Sequence, residues 1–366
     1  MVHVQRHLHA LRHVSRNAGD PESKDPDRRR ISLEHSVAYV TWATLHNLDL
    51  FNNPRIYESL DFVLLVEFEK AYYVQRVRKS AHVGDELLII QLVAIQEQNM
   101  PTINANDIEI NYCDEGAGPE TILLVNGLAD DLQTWSYQVP AFLDAGYRVV
   151  RFDNRGVGES SKPAGPYTTK LFAADTKALV DHLGLTQFHL LGVSMGGMIV
   201  QEYALAHPED LRSVTMACTY AAPGPFCSKM YALWADQAPV LGVPAIMRDV
   251  ALWAFTLEFF ENRSAELAEF ESAMQFMNQP VSAYLAQLES IRTHDATDRL
   301  ASLKVPTLVL AGANDILIPV ELSRRLHALI PGSTWATSKG GHCCIWEFPE
   351  SFNSTVLDFL GTLAKS

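Results

Sequence analysis

From Asp107 onward, short apolar runs alternate with longer amphipathic stretches, and this rhythm restricts the possible folds more than any other feature of the sequence. Runs of strand length stand at 121–128 (TILLVNGL), 188–193 (FHLLGV) and 305–311 (VPTLVLA). Strands that alternate with helices pair in parallel and form a sheet with helices on both faces. The sequence therefore predicts an α/β fold with a doubly wound, mostly parallel sheet in residues 100–366.

The first 99 residues lack this rhythm. Residues 17–30 are charged, contain proline and are almost free of large apolar side chains, which predicts a solvated linker. Residues 35–96 are richer in apolar and aromatic side chains, but their pattern does not identify a fold. We predict that residues 1–99 form an N-terminal extension of uncertain fold that is partly disordered. A partner-docking module is the alternative for this segment. Its histidines have no acidic or cysteine partners at defined spacing, so a metal site is not predicted there.

Composition excludes several classes of function. The chain has 366 residues, of which 48% are hydrophobic, so a large buried core is expected. Lys and Arg total 29 against 43 acidic residues, for a formal charge of -14, which argues against nucleic acid or an anionic membrane as partner. The five cysteines are odd in number and include no CxxC pair, which fits a reducing compartment. We expect a cytoplasmic protein without a membrane segment.

One serine lies between a predicted strand and a predicted helix, in the segment FHLLGVSMGGMIVQEYALAH at 188–207. In its G-V-S-M-G core, Ser194 stands two residues from a glycine on either side. Such a tight turn holds a nucleophile clear of a sheet and points the N-terminus of the next helix at developing negative charge. The motif alone is a weak signal, since serine often simply caps a helix. Its partners downstream make Ser194 the predicted nucleophile.

Those partners are an acid and a base, each after a separate predicted strand. Asp315 lies in the loop after the run at 305–311, and His342 lies in a Gly-Gly loop that precedes a predicted helix. The order Ser, Asp, His is that of the triad on sheets of this kind. A carboxylate orients the imidazole, which takes the proton of the serine. Asp315 alone would also fit an ordinary turn, so its assignment depends on His342.

An acyl-transfer site also needs two backbone N–H groups directed at the oxyanion. The first predicted donor is Met195, directly after the nucleophile. The second is Leu128, in the loop after the run at 121–128, where Gly127 allows the backbone to turn. An Asn-Gly pair is also simply a good turn.

These segments together resemble the α/β-hydrolase superfamily, and within it the branch of enol-lactonases and cofactor-free haloperoxidases. The likeness covers about residues 101–364. VNGLADDLQTW (125–135), FDNRGVGESSKP (152–163) and GHCCIWEFPESFN (341–353) are similar to the family segments HGxxxxxxxW, DxRGxGxS and GHxxxxExPxxFN. One departure is Asn126, which stands where the family usually has histidine before the oxyanion glycine.

The resemblance implies a helical cap inserted before the acid-bearing strand, at about residues 222–300. Aromatic residues of this cap and one that follows the oxyanion loop are the candidates for the lining of a substrate pocket: Trp135, Trp234, Trp253 and Phe276.

The predicted function is that of a serine hydrolase that cleaves a small to medium, largely apolar carboxylic ester or lactone through an acyl-enzyme. The mechanism requires no metal and no organic cofactor. A carbon-carbon bond hydrolase or a perhydrolase with the same triad is one alternative, and a ligand-binding receptor with a slow triad is another. The expected partner is a small molecule, and a homo-oligomer is compatible with the sequence.

Overall fold

The computed structural model describes residues 100–275 and 277–363. The predicted N-terminal extension (1–99) and the pocket candidate Phe276 lie outside the described residues. Within these residues, we find no helix that combines the length and the hydrophobicity of a membrane span.

A single mixed sheet forms the centre of the described chain. Its strands are β1 (Thr102–Ala105), β2 (Ile108–Glu115), β3 (Thr121–Val125), β4 (Arg148–Phe152), β5 (Phe188–Val193), β6 (Leu211–Ala217), β7 (Thr307–Gly312) and β8 (Thr334–Ser338). Their spatial order is β1-β2-β4-β3-β5-β6-β7-β8. β2 pairs antiparallel with β1 and β4, and every other neighbouring pair is parallel. The predicted doubly wound, mostly parallel sheet is confirmed.

This strand order contains a reversal that positions the site. The chain passes from β3 outward to β4 and then returns to the other side of β3 with β5. In open α/β sheets, ligands bind outside the carboxyl ends of the strands at such a reversal. The loop after β3 and the turn after β5 therefore flank the expected ligand crevice.

Helices connect the strands and cover the sheet. The α-helices in the described residues are α1 (Val139–Asp144), α2 (Thr169–Leu183), α3 (Met195–Ala206), α4 (Pro225–Leu241), α5 (Val243–Ala254), α6 (Leu257–Asn262), α7 (Ser264–Gln275), α8 (Val281–Arg292), α9 (Val320–Leu329), α10 (Cys344–Glu347) and α11 (Pro349–Leu363). Helix α2 shows how local sequence sets such limits. The side chain of Thr168 accepts a hydrogen bond from the Leu171 N–H at its start, and Gly184 ends it with φ of 60°.

Two hydrophobic clusters lie on opposite faces of the sheet. Neighbouring residues of one strand belong to different clusters, as Leu123 and Leu124 of β3 and Leu190 and Leu191 of β5 show. Successive side chains of a strand point to opposite faces, so the sheet separates the two clusters. All six residues of β5 are buried, as a central strand covered on both faces requires.

The helical cap expected before the acid-bearing strand is present. Helices α4 to α8 lie between β6 and β7, and the predicted range of 222–300 encloses them. Tyr231 and Trp234 of α4, Met247 of α5 and Tyr284 of α8 are buried in the same cluster as Leu190 of the sheet. Burial of each such side chain contributes roughly 1.5–3 kcal/mol, so the cap is packed onto the domain through its own core residues.

Candidate active site

Ser194 occupies a strained turn between β5 and α3. Its backbone has φ of 57° and ψ of -118°, in the left-handed half of the map that residues other than glycine rarely adopt. Strain of this kind costs about 1–3 kcal/mol and persists only where neighbouring structure enforces it. Here the Ser194 N–H donates to the Ala217 carbonyl at 2.9 Å, and the Thr219 hydroxyl donates to the Ser194 carbonyl at 2.9 Å. The end of β6 thus holds the turn in place.

The two glycines of the motif are required by close backbone contacts. A Cβ on Gly192 would lie 2.2 Å from the Gly196 carbonyl oxygen, and a Cβ on Gly196 would lie 2.0 Å from the Val125 carbonyl oxygen. Both distances are far below van der Waals contact, so α3 approaches β5 and β3 only because these side chains are absent. The sequence motif and the geometry of the turn therefore have the same cause.

Asp315 and His342 form a buried hydrogen-bonded pair at the ends of β7 and β8. The His342 Nδ1 lies 2.8 Å from the Asp315 Oδ2, and the two residues are 3% and 8% exposed. The other carboxylate oxygen, Oδ1, accepts the N–H groups of Leu317 at 3.0 Å and Ile318 at 2.8 Å. The carboxylate is thereby fixed by its own loop, and it leaves the Nε2 of His342 available for another partner.

Electrostatics at His342 favour its charged form. Burial opposes the imidazolium, but the charge of Asp315 and the hydrogen bond to it outweigh burial and raise the pKa of His342 to about 9. An imidazole that has just taken a proton from a hydroxyl would be stabilised by the same carboxylate.

Ser194 and His342 line one cavity of about 60 Å³, together with residues of the oxyanion loop, the cap and the loop after β8. The other lining residues are Leu128, Asp130, Val193, Tyr231, Trp234, Met247, Val250, Ala254, Phe270, Ile291, Leu317, Cys343, Ile345 and Trp346. Most of these side chains are apolar. A hydroxyl and a His–Asp pair at one apolar cavity are the groups that nucleophilic attack on a carbonyl needs.

The predicted oxyanion residues also lie at this place. Leu128 lines the cavity, and a Cβ on Gly127 would lie 3.4 Å from the Ser194 Cβ, so the loop after β3 passes beside the serine. Met195 is the first residue of α3, where N–H groups of a helix are not yet used by its own hydrogen bonds.

Asn126, the departure from the family pattern, connects this loop to the core by hydrogen bonds. Its Nδ2 donates to the Phe152 carbonyl at 2.9 Å, and its Oδ1 accepts the Trp135 Nε1–H at 2.7 Å. The assignment of Trp135 to the substrate pocket is corrected by this contact. Trp135 is fully buried in the cluster that contains Phe142, and it is not among the cavity residues. Its indole N–H has a hydrogen-bond partner in the core, as a buried tryptophan usually does, and the side chain is directed into the core.

Of the two predicted cap residues that the structure describes, one lines the cavity and the other does not. Trp234 lines the cavity and donates its Nε1–H to Asp249 at 2.8 Å. Trp253 is 36% exposed, packs edge-on against Phe226 and does not line the cavity, so its assignment is also corrected. On its helix, the neighbouring Ala254 takes the place at the cavity.

Asp130 is a cavity residue that the sequence interpretation missed. It is partly buried, and a Cβ on Gly127 would lie 2.6 Å from its Oδ2, so the carboxylate folds against the oxyanion loop. Burial and the neighbouring Asp131 raise the pKa of Asp130 to about 7, against the opposing effects of His342 and the Gly127 backbone. Its position two residues after Leu128 is the signal that could have identified it.

Three of the cysteines lie near His342. The Sγ atom of Cys218, an oxygen of Asp315 and a nitrogen of His342 lie within 4.8 Å of one another, a spacing that could suit a metal ion. The protonation state of the neighbouring thiols argues against a metal site. The Cys218 thiol lies 3.6 Å from the Cys344 thiol, which with burial raises the pKa of Cys218 well above its usual value. Burial likewise raises the pKa of Cys343 well above its usual value. A thiol that stays protonated is a poor metal ligand and a poor nucleophile.

The comparisons with known proteins agree with this architecture. The family described as alpha/beta hydrolase fold matches residues 120–349. A curated 3-oxoadipate enol-lactonase 2 of Acinetobacter baylyi is 31% identical over 259 residues, which are 70% of this chain and 94% of that protein. The crystal structure of the enol-lactonase from Burkholderia xenovorans LB400 is 30% identical, with a TM-score of 0.66 over 71% of this chain and all of that one.

A bromoperoxidase structure from Bacillus anthracis is 26% identical, with a TM-score of 0.62 over 69% of this chain and 96% of that one. The two kinds of relative are those named by the sequence resemblance, which is confirmed. The chain belongs to the α/β-hydrolase family, and it is a hydrolase.

Proposed function

We propose that this protein is a serine hydrolase that cleaves small to medium, largely apolar carboxylic esters or lactones through an acyl-enzyme. The observation that carries the proposal is the shared cavity: Ser194, on its strained turn, and His342, paired with Asp315 at 2.8 Å, line the same apolar space. The similarity to two enol-lactonases supports a lactone or ester as the substrate class.

In the proposed reaction, which starts from the neutral form of His342, the Oγ of Ser194 attacks the carbonyl carbon while its proton passes to the Nε2 of His342. The carbonyl electron pair moves onto oxygen, where the N–H groups of Leu128 and Met195 stabilise the negative charge. Collapse of this intermediate expels the alkoxide, which takes the proton from His342. Water then attacks the acyl-enzyme in the same way, with His342 as the base, and releases the carboxylic acid and free Ser194.

The cavity limits the substrate. Its volume of about 60 Å³ and its lining by Met247, Phe270 and Trp346 suit a short acyl group without strong polarity. Desolvation of an acyl group whose charge finds no opposite partner would be costly in such a lining.

The test is hydrolysis of short p-nitrophenyl esters and aliphatic lactones by the purified full-length protein. We expect multiple turnover in the wild type and a loss of kcat of at least about 10³-fold in Ser194→Ala. Mass spectrometry after reaction with a p-nitrophenyl phosphonate should place one adduct on Ser194. Turnover that persists in Ser194→Ala, or binding of esters without turnover, would contradict the proposal; the second result would favour the receptor alternative.

A further inference from the structure

The cavity contains one carboxylate outside the candidate triad. Among the described residues that line it, Asp130 is the one acidic side chain, and none is Lys or Arg. The charge of a protonated His342 is matched by Asp315 at 2.8 Å. An ionised Asp130 therefore leaves this space with a net negative charge.

The position of Asp130 places that charge near the reacting atoms. A Cβ added to Gly127 would lie 2.6 Å from the Asp130 Oδ2 and 3.4 Å from the Ser194 Cβ. Asp130 and Ser194 therefore flank the same glycine. The titratable groups that act on Asp130 are Asp131 on its own loop and His342 on the loop after β8, and Asp130 in turn acts on Cys343 of that loop. Of these groups only His342 can become cationic, and its charge already has a partner.

We propose that Asp130 determines substrate specificity by charge: it disfavours esters whose acyl group carries a carboxylate, and it favours neutral and cationic ones. This inference rests on the proposed ester hydrolysis at Ser194. The physical reason is that an ionised Asp130 and a carboxylate on the acyl group would share one small, largely apolar cavity, where like charges repel more strongly than in water. A discrimination of about tenfold or more in kcat/KM follows.

Three p-nitrophenyl esters of similar length test the proposal: the neutral hexanoate, the anionic monoester of adipic acid and the cationic 4-(trimethylammonio)butanoate. Wild type should hydrolyse the adipate at least about tenfold less efficiently than the hexanoate. Asp130→Asn keeps the shape of the side chain and should narrow the ratio of kcat/KM for the hexanoate to kcat/KM for the adipate at least about fivefold.

Asp131→Asn is the matched control, because Asp131 is exposed, accepts the Gln133 N–H and does not line the cavity. At pH 8.5, where Asp130 is ionised with or without Asp131, this variant should leave the ratio of kcat/KM for the two esters unchanged. A second measurement needs no variant. Because the pKa of Asp130 is raised to about 7, the wild-type ratio should grow between pH 6 and pH 8.5.

Each outcome decides the proposal. Equal changes for all three esters in Asp130→Asn, or a wild-type ratio that is small and independent of pH, would overturn the role of Asp130 and leave the ester hydrolase intact. Loss of Ser194-dependent turnover on every ester would instead refute the proposed function, and the specificity role would fall with it.

Discussion

The hydrogen-bonded pair of Asp315 and His342 should make a pH-dependent contribution to the free energy of unfolding, and Asp315→Asn should remove this contribution. Both side chains are less than a tenth exposed, so solvent screens their interaction little. In the folded chain the pKa of His342 is raised from 6.5 to about 9. A group whose pKa is raised by folding stabilises the fold fully below its unfolded pKa and loses that contribution as pH rises through the folded pKa.

The magnitude follows from these two values. A rise of the pKa from 6.5 to about 9 corresponds to roughly 3 kcal/mol of unfolding free energy in the limit of low pH. This contribution is still about 3 kcal/mol at pH 6, falls to about 1 kcal/mol at pH 8 and is close to zero at pH 10. Asp315→Asn should therefore be destabilised relative to wild type by an amount that is about 3 kcal/mol larger at pH 6 than at pH 10.

Urea unfolding followed by tryptophan fluorescence, at pH 6, 8 and 10, measures this difference. The control is Asp131→Asn, whose side chain is exposed and accepts the Gln133 N–H on its own loop. The reasoning is refuted if the loss of stability in Asp315→Asn is the same at all three pH values, because the cost would then come from packing and not from the charge on His342.

Three further outcomes are expected. Gly196→Ala should cost about 3 kcal/mol or more in unfolding free energy, because its Cβ would lie 2.0 Å from a backbone carbonyl, whereas Gly361→Ala has nothing within 4 Å and should be neutral or stabilising in the same urea assay. Trp135→Phe should lower thermal stability by roughly 1–3 kcal/mol by leaving a buried amide oxygen unpaired, and an unchanged Tm would contradict its hydrogen bond. Asp130→Asn should move the acid limb of the kcat/KM profile to lower pH, because Asp130 raises the pKa of His342; a limb that stays or moves upward would contradict that coupling.

Features that depend on neighbouring residues could be predicted from the sequence. Gly192 and Gly196 flank Ser194 within a few positions, so the turn can be recognised from local spacing. The cap could also be located, because a long helical stretch stands between two strand patterns. Such a stretch is an insertion between two strands of the sheet.

The lining of the cavity could not be predicted in this way. Trp135, Trp234 and Trp253 are the same residue type, yet one lies in the core behind the oxyanion loop, one faces the cavity and one is partly exposed to solvent. Their directions depend on which partner each indole finds across the fold, such as Asn126 for Trp135 and Asp249 for Trp234. An aromatic residue in a suitable segment is therefore weak evidence for a ligand contact.

The sequence by itself determined the alternation of strands and helices, the glycine turn at Ser194 and the chain order of nucleophile, acid and base, since each depends on residues close in the chain. Only the tertiary structure decided that Asp315 and His342, 27 residues apart, share a hydrogen bond, and that Asp130 joins their cavity. Burial and distance between remote side chains set their charges, and neither quantity exists until the chain has folded.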